Sequence, residues 1–299
     1  MGPHFERDRT SNETLGGNIL ETIRTVAAME RRSAELRSSG AVIGLVPTMG
    51  SLHEGHLSLI RQADSLADTV VVSVFVNPTQ FGPSEDFESY PRDLDRDAGL
   101  ASGAGCDILF TPEAADIYPA HYATVVHVQR VTRRLCGAFR PGHFDGVTTV
   151  VAKLLNIVRP HLAVFGRKDG QQLAVIERMV ADLDMGVRVI AVDTVRESDG
   201  LAMSSRNAHL SDAERRDAVV LSEALELART LYESGEKDAT HVVARMREMI
   251  DARETTEIQY IDAVDRATMD PVAELGANVM IAMAVFLGKT RLIDNIVLS

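Results

Sequence analysis

Ala41-Val-Ile-Gly-Leu-Val46, followed by Pro47-Thr-Met-Gly50-Ser-Leu-His53-Glu-Gly55-His56, is the stretch on which the fold is decided. The first part is short, apolar and unalternated, the pattern of a strand buried on both faces of a parallel sheet. The second part is rich in turn residues. Leu57, Ile60, Ala63, Leu66 and Ala67 then recur at helical spacing, and residues 69–76 form a second unalternated apolar run. Strand, glycine-bearing loop, helix and strand make a βαβ unit.

Working outward, residues 17–39 place Ile19, Ile23, Val26, Ala27 and Met29 near helical spacing and predict a helix. Toward the C-terminus, strands are expected at 106–110, 162–165 and 187–192, with helices at 147–158 and 170–182. This alternation predicts an α/β fold, a Rossmann-type doubly wound parallel sheet, in which ligands sit beyond the carboxyl ends of the strands. After Val195 the pattern changes. Ser211 and Glu214 read as a capping box opening a helix to about residue 233, a second helix covers 239–251, and strands follow at 257–264, 278–287 and 290–298. The chain is therefore divided near Thr194 into a Rossmann-type nucleotide-binding domain, 1–194, and a second, smaller α+β C-terminal domain, 195–299.

Composition narrows the function classes. The 299 residues carry a net charge of −12, which argues against nucleic acid or a membrane surface as partner. At 45% hydrophobic and 25% charged, the chain has the composition of a globular protein and not of a disordered one. Cys106 and Cys136 belong to no CxxC pair, so buried free thiols are expected rather than a disulfide framework or a zinc knuckle. No apolar run reaches the roughly 18 residues of a membrane span. The N-terminal stretch is polar with no signal-peptide core, so a cytoplasmic protein with a frayed start is expected.

Each strand-end loop carries polar groups. In the loop after 41–46, glycines permit close backbone approach, and the following helix N-terminus favours an anion. His53 and His56, three residues apart, can hydrogen-bond phosphate oxygens. The competing readings are a Ser51–Glu54 capping box with incidental histidines, and a His–His metal site, for which no third ligand lies at useful spacing. After the second strand, Asn77 and Gln80 each offer a donor and an acceptor to a ligand with hydroxyl and carboxylate groups, against the alternative of a polar Asn-Pro turn. Among Glu85, Asp86, Asp93, Asp95 and Asp97, one carboxylate at most is expected to matter, as a Mg²⁺ ligand; the rest read as a solvated loop. Gly166-Arg-Lys168-Asp169 offers a mobile point charge for phosphate at Lys168, with helix capping as the alternative for Asp169 and Gln172. Ser204, Ser205 and Arg206 cluster near the domain junction, where Arg206 can grip phosphate bidentately. Arg140-Pro-Gly-His143 is a basic loop ahead of a helix.

These segments in this order resemble the pantoate–β-alanine ligase (pantothenate synthetase) family over nearly the whole chain. The resemblance rests on PTMGSLHEGH, VSVFVNPTQFG, RPGHFDGVTTVVAKLLNIVRP, FGRKDGQQL, VRESDGLAMSSRN and TRLIDN. HxGH alone marks only the wider nucleotidyltransferase superfamily. The resemblance implies ATP as co-substrate with Mg²⁺, pantoate and β-alanine as the other substrates, a pantoyl adenylate intermediate, a homodimer and a C-terminal lid. It puts the ATP site on Met49, Gly50, Ser51, Leu52, His53, Glu54, Gly55, His56, Gly166, Arg167, Lys168, Asp169, Val195, Met203, Ser204, Ser205 and Arg206. His56 matches the catalytic proton donor, with His53, Lys168 and Arg206 beside it, and Gln80 and Gln172 match the glutamines that hold pantoate. Asn77 and Arg140 complete the expected substrate site. Arg167 and Gly170 depart from the glutamate and aromatic residue usual in the family. Two rivals predict different chemistry: an HxGH nucleotidylyltransferase with another acceptor, and an ATP-binding homologue without turnover.

Overall fold

The computed structural model describes residues 10–15, 18–83, 85 and 87–299; the first nine residues, where a frayed start was expected, and Asp86 lie outside them. β1 (Thr10–Leu15) and β2 (Asn18–Ile23) precede α1 (Val26–Ser38), β3 (Ile43–Thr48), α2 (Glu54–Asp64), β4 (Thr69–Val74), α3 (Leu94–Gly103) and β5 (Ile108–Phe110). Two short helices, α4 (Ala114–Ile117) and α5 (Cys136–Phe139), lead to α6 (His143–Val158), β6 (Leu162–Gly166), α7 (Gly170–Asp182) and β7 (Arg188–Val192). These strands form one sheet in the order β1-β2-β5-β4-β3-β6-β7, parallel throughout except where β1 meets β2.

The order places the site. From β3 the chain moves through β4 to β5 on one side, then returns to add β6 and β7 on the other. Neighbouring β3 and β6 therefore flank the switch point, where the crevice beyond the strand ends opens. Both faces of β3 are covered: Ile43 and Leu45 pack toward α1 and α6, while Val46 packs toward α2 and α3. That is why its sequence shows no alternation.

The helix expected over 17–39 begins only at Val26. Glu21, Thr22 and Ile23 instead pair in parallel with Ile108, Leu109 and Phe110. An available sheet edge outweighs a loose helical rhythm that contains β-branched residues. Thr25 is extended and starts α1 by accepting a hydrogen bond from the Ala28 N–H at 3.3 Å.

α8 (Asp212–Ala218), α9 (Val220–Glu233) and α10 (Ala239–Asp251) follow, then an antiparallel sheet of β8 (Thr256–Asp265), β9 (Val279–Leu287) and β10 (Thr290–Val297) with β9 central. Ser211 and Glu214 form the expected capping box, but the helix they open breaks at Val219. There the Ser222 N–H bonds to the Val219 carbonyl in the tighter i−3 manner, and Asp217 turns its carboxylate to Thr255, 2.8 Å away. One apolar cluster lies wholly within 201–298. Another joins Tyr260, Val264, Met280, Ala282 and Ala284 of the small sheet to α1, α6 and α7. Cys106 and Cys136 are buried and free. Among the described residues, no helix is long and apolar enough to cross a membrane.

Candidate active site

A cleft of about 250 Å³ opens at the β3/β6 crevice and is lined from the far side by Val195 and Met203 to Arg206. A short hairpin brings that segment in: the Met203 N–H bonds to the Val195 carbonyl at 3.0 Å, and Arg196 bridges Ala202. The expected residues Met49, His53, Gly55, His56, Asn77, Gln80, Arg140, Gly166, Lys168, Asp169 and Gln172 also face this space.

Gly50, Ser51, Leu52, Glu54 and Arg167 do not line it. The backbone N–H groups of Ser51 and Leu52 both donate to the Asp97 carboxylate at 2.7 Å, Leu52 is buried beneath the loop, and Glu54 pairs with Arg61 on the surface. Arg167 pairs with Asp193, 3.0 Å off, which itself lines the cleft. These residues shape the loops rather than presenting side chains to the cleft.

His53 is the residue before the first turn of α2, and His56 lies one turn in, with ring centres 4.1 Å apart. Burial first, then His53 and Lys168, lower the His56 pKa to about 3, so the ring is neutral at physiological pH. Its Nδ1 accepts the His53 backbone N–H at 3.4 Å, which leaves the ring proton on Nε2. His56 is thus a hydrogen-bond donor in its neutral form. His53 is likewise held below its ordinary pKa by burial and Lys168, and its Nδ1 is buried without a partner among the described residues. An orphaned buried nitrogen in a cleft is a position that a ligand can complete.

The β6–α7 turn supplies charge. Neither the Lys168 ammonium nor the Asp169 carboxylate has an ion pair or hydrogen bond among the described residues, and Asp169 does not cap α7. Asn295 of β10 holds the turn from below, donating to the carbonyls of Arg167 at 3.0 Å and Lys168 at 2.8 Å. Gly170 makes this possible, because a Cβ there would lie 2.8 Å from Met280 Sδ and 2.9 Å from Asn295 Oδ1. Of the two departures from the family pattern, Arg167 is drawn to Asp193 and Gly170 makes room for Met280 and Asn295, and neither pairs with Lys168.

Val147, Val150, Val151 and Leu154 of α6, with Phe75 and Phe165, give the same cleft an apolar lining, to which Gln80 and Gln172 add amides. Asn77 is buried and fully engaged: Oδ1 accepts from Tyr118 at 2.7 Å and Thr79 at 3.0 Å, while Nδ2 donates to Gln80 Oε1 at 3.0 Å and the Gly146 carbonyl at 3.1 Å. It orients Gln80 and has no donor to spare for a substrate. Arg140 is similarly committed, forked onto Glu85 at 2.7 and 2.6 Å.

A pantoate-beta-alanine ligase family model matches residues 21–297. The chain belongs to the pantoate–β-alanine ligase family. It is 55% identical to the pantothenate synthetase of Heliobacterium modesticaldum over 94% of this chain and 99% of that one. Identity to the Geobacter sulfurreducens pantothenate synthetase is 54%, with the same coverage. Among solved structures, pantothenate synthetase from Thermus thermophilus superposes with a TM-score of 0.86 at 43% identity, covering 92% of this chain and 98% of that one. The Francisella tularensis pantoate-beta-alanine ligase, complexed with beta-gamma ATP and beta-alanine, gives 0.76 at 33% identity, covering 92% and 97%.

In this pantoate–β-alanine ligase fold, two further residues act on the site. Asp97 anchors the 50–52 loop; it was legible only as one acid in an acidic stretch. His143 faces the cleft from the first turn of α6, its pKa lowered to about 4 by burial first and Arg140 second. The RPGH segment gave the signal, but nothing local says which strand-end loop the imidazole meets.

Proposed function

We propose that the chain condenses pantoate with β-alanine, consuming ATP and releasing AMP and pyrophosphate. The observation that carries this reading is one cleft lined both by a lysine without an ion pair among the described residues and two histidines, His53 and His56, and by an apolar wall with two glutamines. The cationic group suits a triphosphate, and the apolar wall with its amides suits a branched hydroxy acid. A pantoate carboxylate oxygen attacks the α-phosphorus, the bond to pyrophosphate breaks, and pantoyl adenylate forms. The amine of β-alanine then attacks the acyl carbon, AMP leaves, and the amine sheds a proton.

No side-chain nucleophile is required, so the protein's work is alignment and charge neutralisation. In this reading Lys168, Arg206 and the Nε2–H of His56 meet phosphate oxygens, His53 completes its hydrogen bonding on the nucleotide, and Gln80 and Gln172 hold pantoate. Mg²⁺ binds with few protein ligands and leans on substrate phosphates. The uncommitted Asp169 carboxylate fits that need, whereas Asp97 is spent on backbone N–H groups and Glu85 on Arg140. Mg²⁺ would neutralise charge on the departing pyrophosphate. Residues 195–299 act as a lid that keeps water from the anhydride, and the reading includes a cytoplasmic homodimer.

The test supplies ATP, pantoate and β-alanine and omits each in turn. Pantothenate should form only with all three, and ATP–pyrophosphate exchange should require pantoate but not β-alanine. Lys168→Ala should slow the exchange by roughly a hundredfold. Exchange without pantoate would instead favour a nucleotidylyltransferase with another acceptor, and ATP binding without any product would favour a homologue that has lost turnover.

A further inference from the structure

Gln80 sits in a three-residue turn, 78–80, that follows β4, and its side chain is steered by Asn77 and by Met49 Sδ at 3.2 Å. Its backbone is held from elsewhere. His143 Nδ1 donates to the Gln80 carbonyl at 2.8 Å, while His143 Nε2 accepts from Arg140 Nη1 at 3.0 Å. Arg140 Nη2 also reaches the Gln80 carbonyl, at 3.4 Å, and the Glu85 carboxylate fixes the guanidinium from the other side. Each group has one role available to it. An arginine only donates and a carbonyl only accepts, so the imidazole between them carries its proton on Nδ1. Gly146, one turn further along α6, lets the helix press on the same turn: a Cβ there would lie 2.4 Å from the Thr79 carbonyl oxygen.

We propose that His143, set by Arg140 and Glu85, is a positioning residue that fixes the backbone of Gln80 and thereby sets the affinity for pantoate. The inference rests on the proposed function and assigns His143 no contact with the reacting atoms. Being neutral, as its burial dictates, His143 bridges without adding charge beside Gln80. A partly buried carbonyl that loses its donor is left poorly satisfied, and the turn relaxes to find another.

Three full-length variants separate positioning from simple packing. His143→Leu removes both hydrogen bonds, His143→Asn keeps an amide N–H where Nδ1–H stood, and His143→Gln keeps a polar atom toward Arg140 only. His143→Leu should raise the pantoate KM about tenfold or more, with KM for ATP and β-alanine within about twofold of wild type. His143→Asn should recover most of that loss and His143→Gln little of it. An unchanged pantoate KM in His143→Leu, an equal rise for all three substrates, or Asn and Gln variants that behave alike would each overturn the inference while wild-type turnover leaves the functional reading standing. A wild-type protein that makes no pantothenate would overturn the functional reading itself, and this inference with it.

Discussion

At the residue scale, burial decides what His56 and His143 contribute. His56 is pushed down to about 3 and His143 to about 4 from an ordinary value of 6.5, so His56 gives the cleft, and His143 gives the Gln80 carbonyl, an N–H of fixed direction without a charge that burial would penalise. The same burial makes the fold sensitive to acid. Between about pH 6.5 and pH 4 the unfolded chain takes up protons at these positions and the folded chain does not, so stability rises with pH across that window and falls as pH drops through it. Each such proton is worth about 1.4 kcal/mol per pH unit. His56→Asn cannot titrate, and its stability relative to wild type should therefore improve by about 2 kcal/mol on going from pH 7 to pH 5. Urea midpoints of both proteins at the two pH values give this difference; parallel losses would show that His56 titrates normally in the folded state.

At the element scale, the β3–α2 connection depends on a helix far away in sequence. Asp97, one turn into α3, accepts the N–H groups of Ser51 and Leu52 and so sets the backbone that leads into His53. Ser51 is held there at a φ of 52°, a conformation that only outside contacts sustain in a non-glycine residue. Asp97→Asn sets an amide N–H against one of these donors. It should cost about 1–3 kcal/mol in a urea titration and raise the ATP KM several-fold while leaving the pantoate KM nearly unchanged. Asp97 marks the boundary of what the sequence discloses. The buried β3 run, the glycine-bearing loop and the Lys168 turn are local patterns, legible because backbone and charge needs are written in adjacent residues. The strand at Asn18–Ile23, the break at Val219 and the grip of Asp97 on the loop are decided by partners dozens of residues away. Asn77 and Arg140 show a second limit: residue type predicts hydrogen-bonding capacity, but only packing shows that Tyr118, Gly146 and Glu85 have already used it.

At the scale of the whole molecule, a net charge of −12 coexists with a cleft that presents Lys168 and Arg206, because net charge describes the outer surface and a site needs only a local field. The division near Thr194 meets a physical constraint of the same scale. Tyr260, Val264, Met280, Ala282 and Ala284 complete the core that α6 and α7 begin, Phe139 stacks on Tyr260 at 5.7 Å, and Arg266 pairs with Glu177 at 3.0 Å. Asn295 grips the Lys168 turn, and Asp294, fully buried, clamps Arg196 at 2.7 and 3.1 Å. For the proposed lid, ties of this kind predict closure by small sliding and by movement of the 195–203 hairpin rather than by swinging clear. It follows that residues 1–194 expressed alone should lack part of their core. Each large side chain that loses its cover forfeits about 1.5–3 kcal/mol, against a typical domain stability of about 5–15 kcal/mol. The fragment should bind a hydrophobic dye strongly and unfold with a shallow urea dependence, whereas the full chain should unfold in one steep transition by fluorescence and circular dichroism alike. A fragment with the full-length midpoint and no dye binding would show that the shared cluster adds nothing to the parallel sheet, and would overturn sliding as the mode of closure.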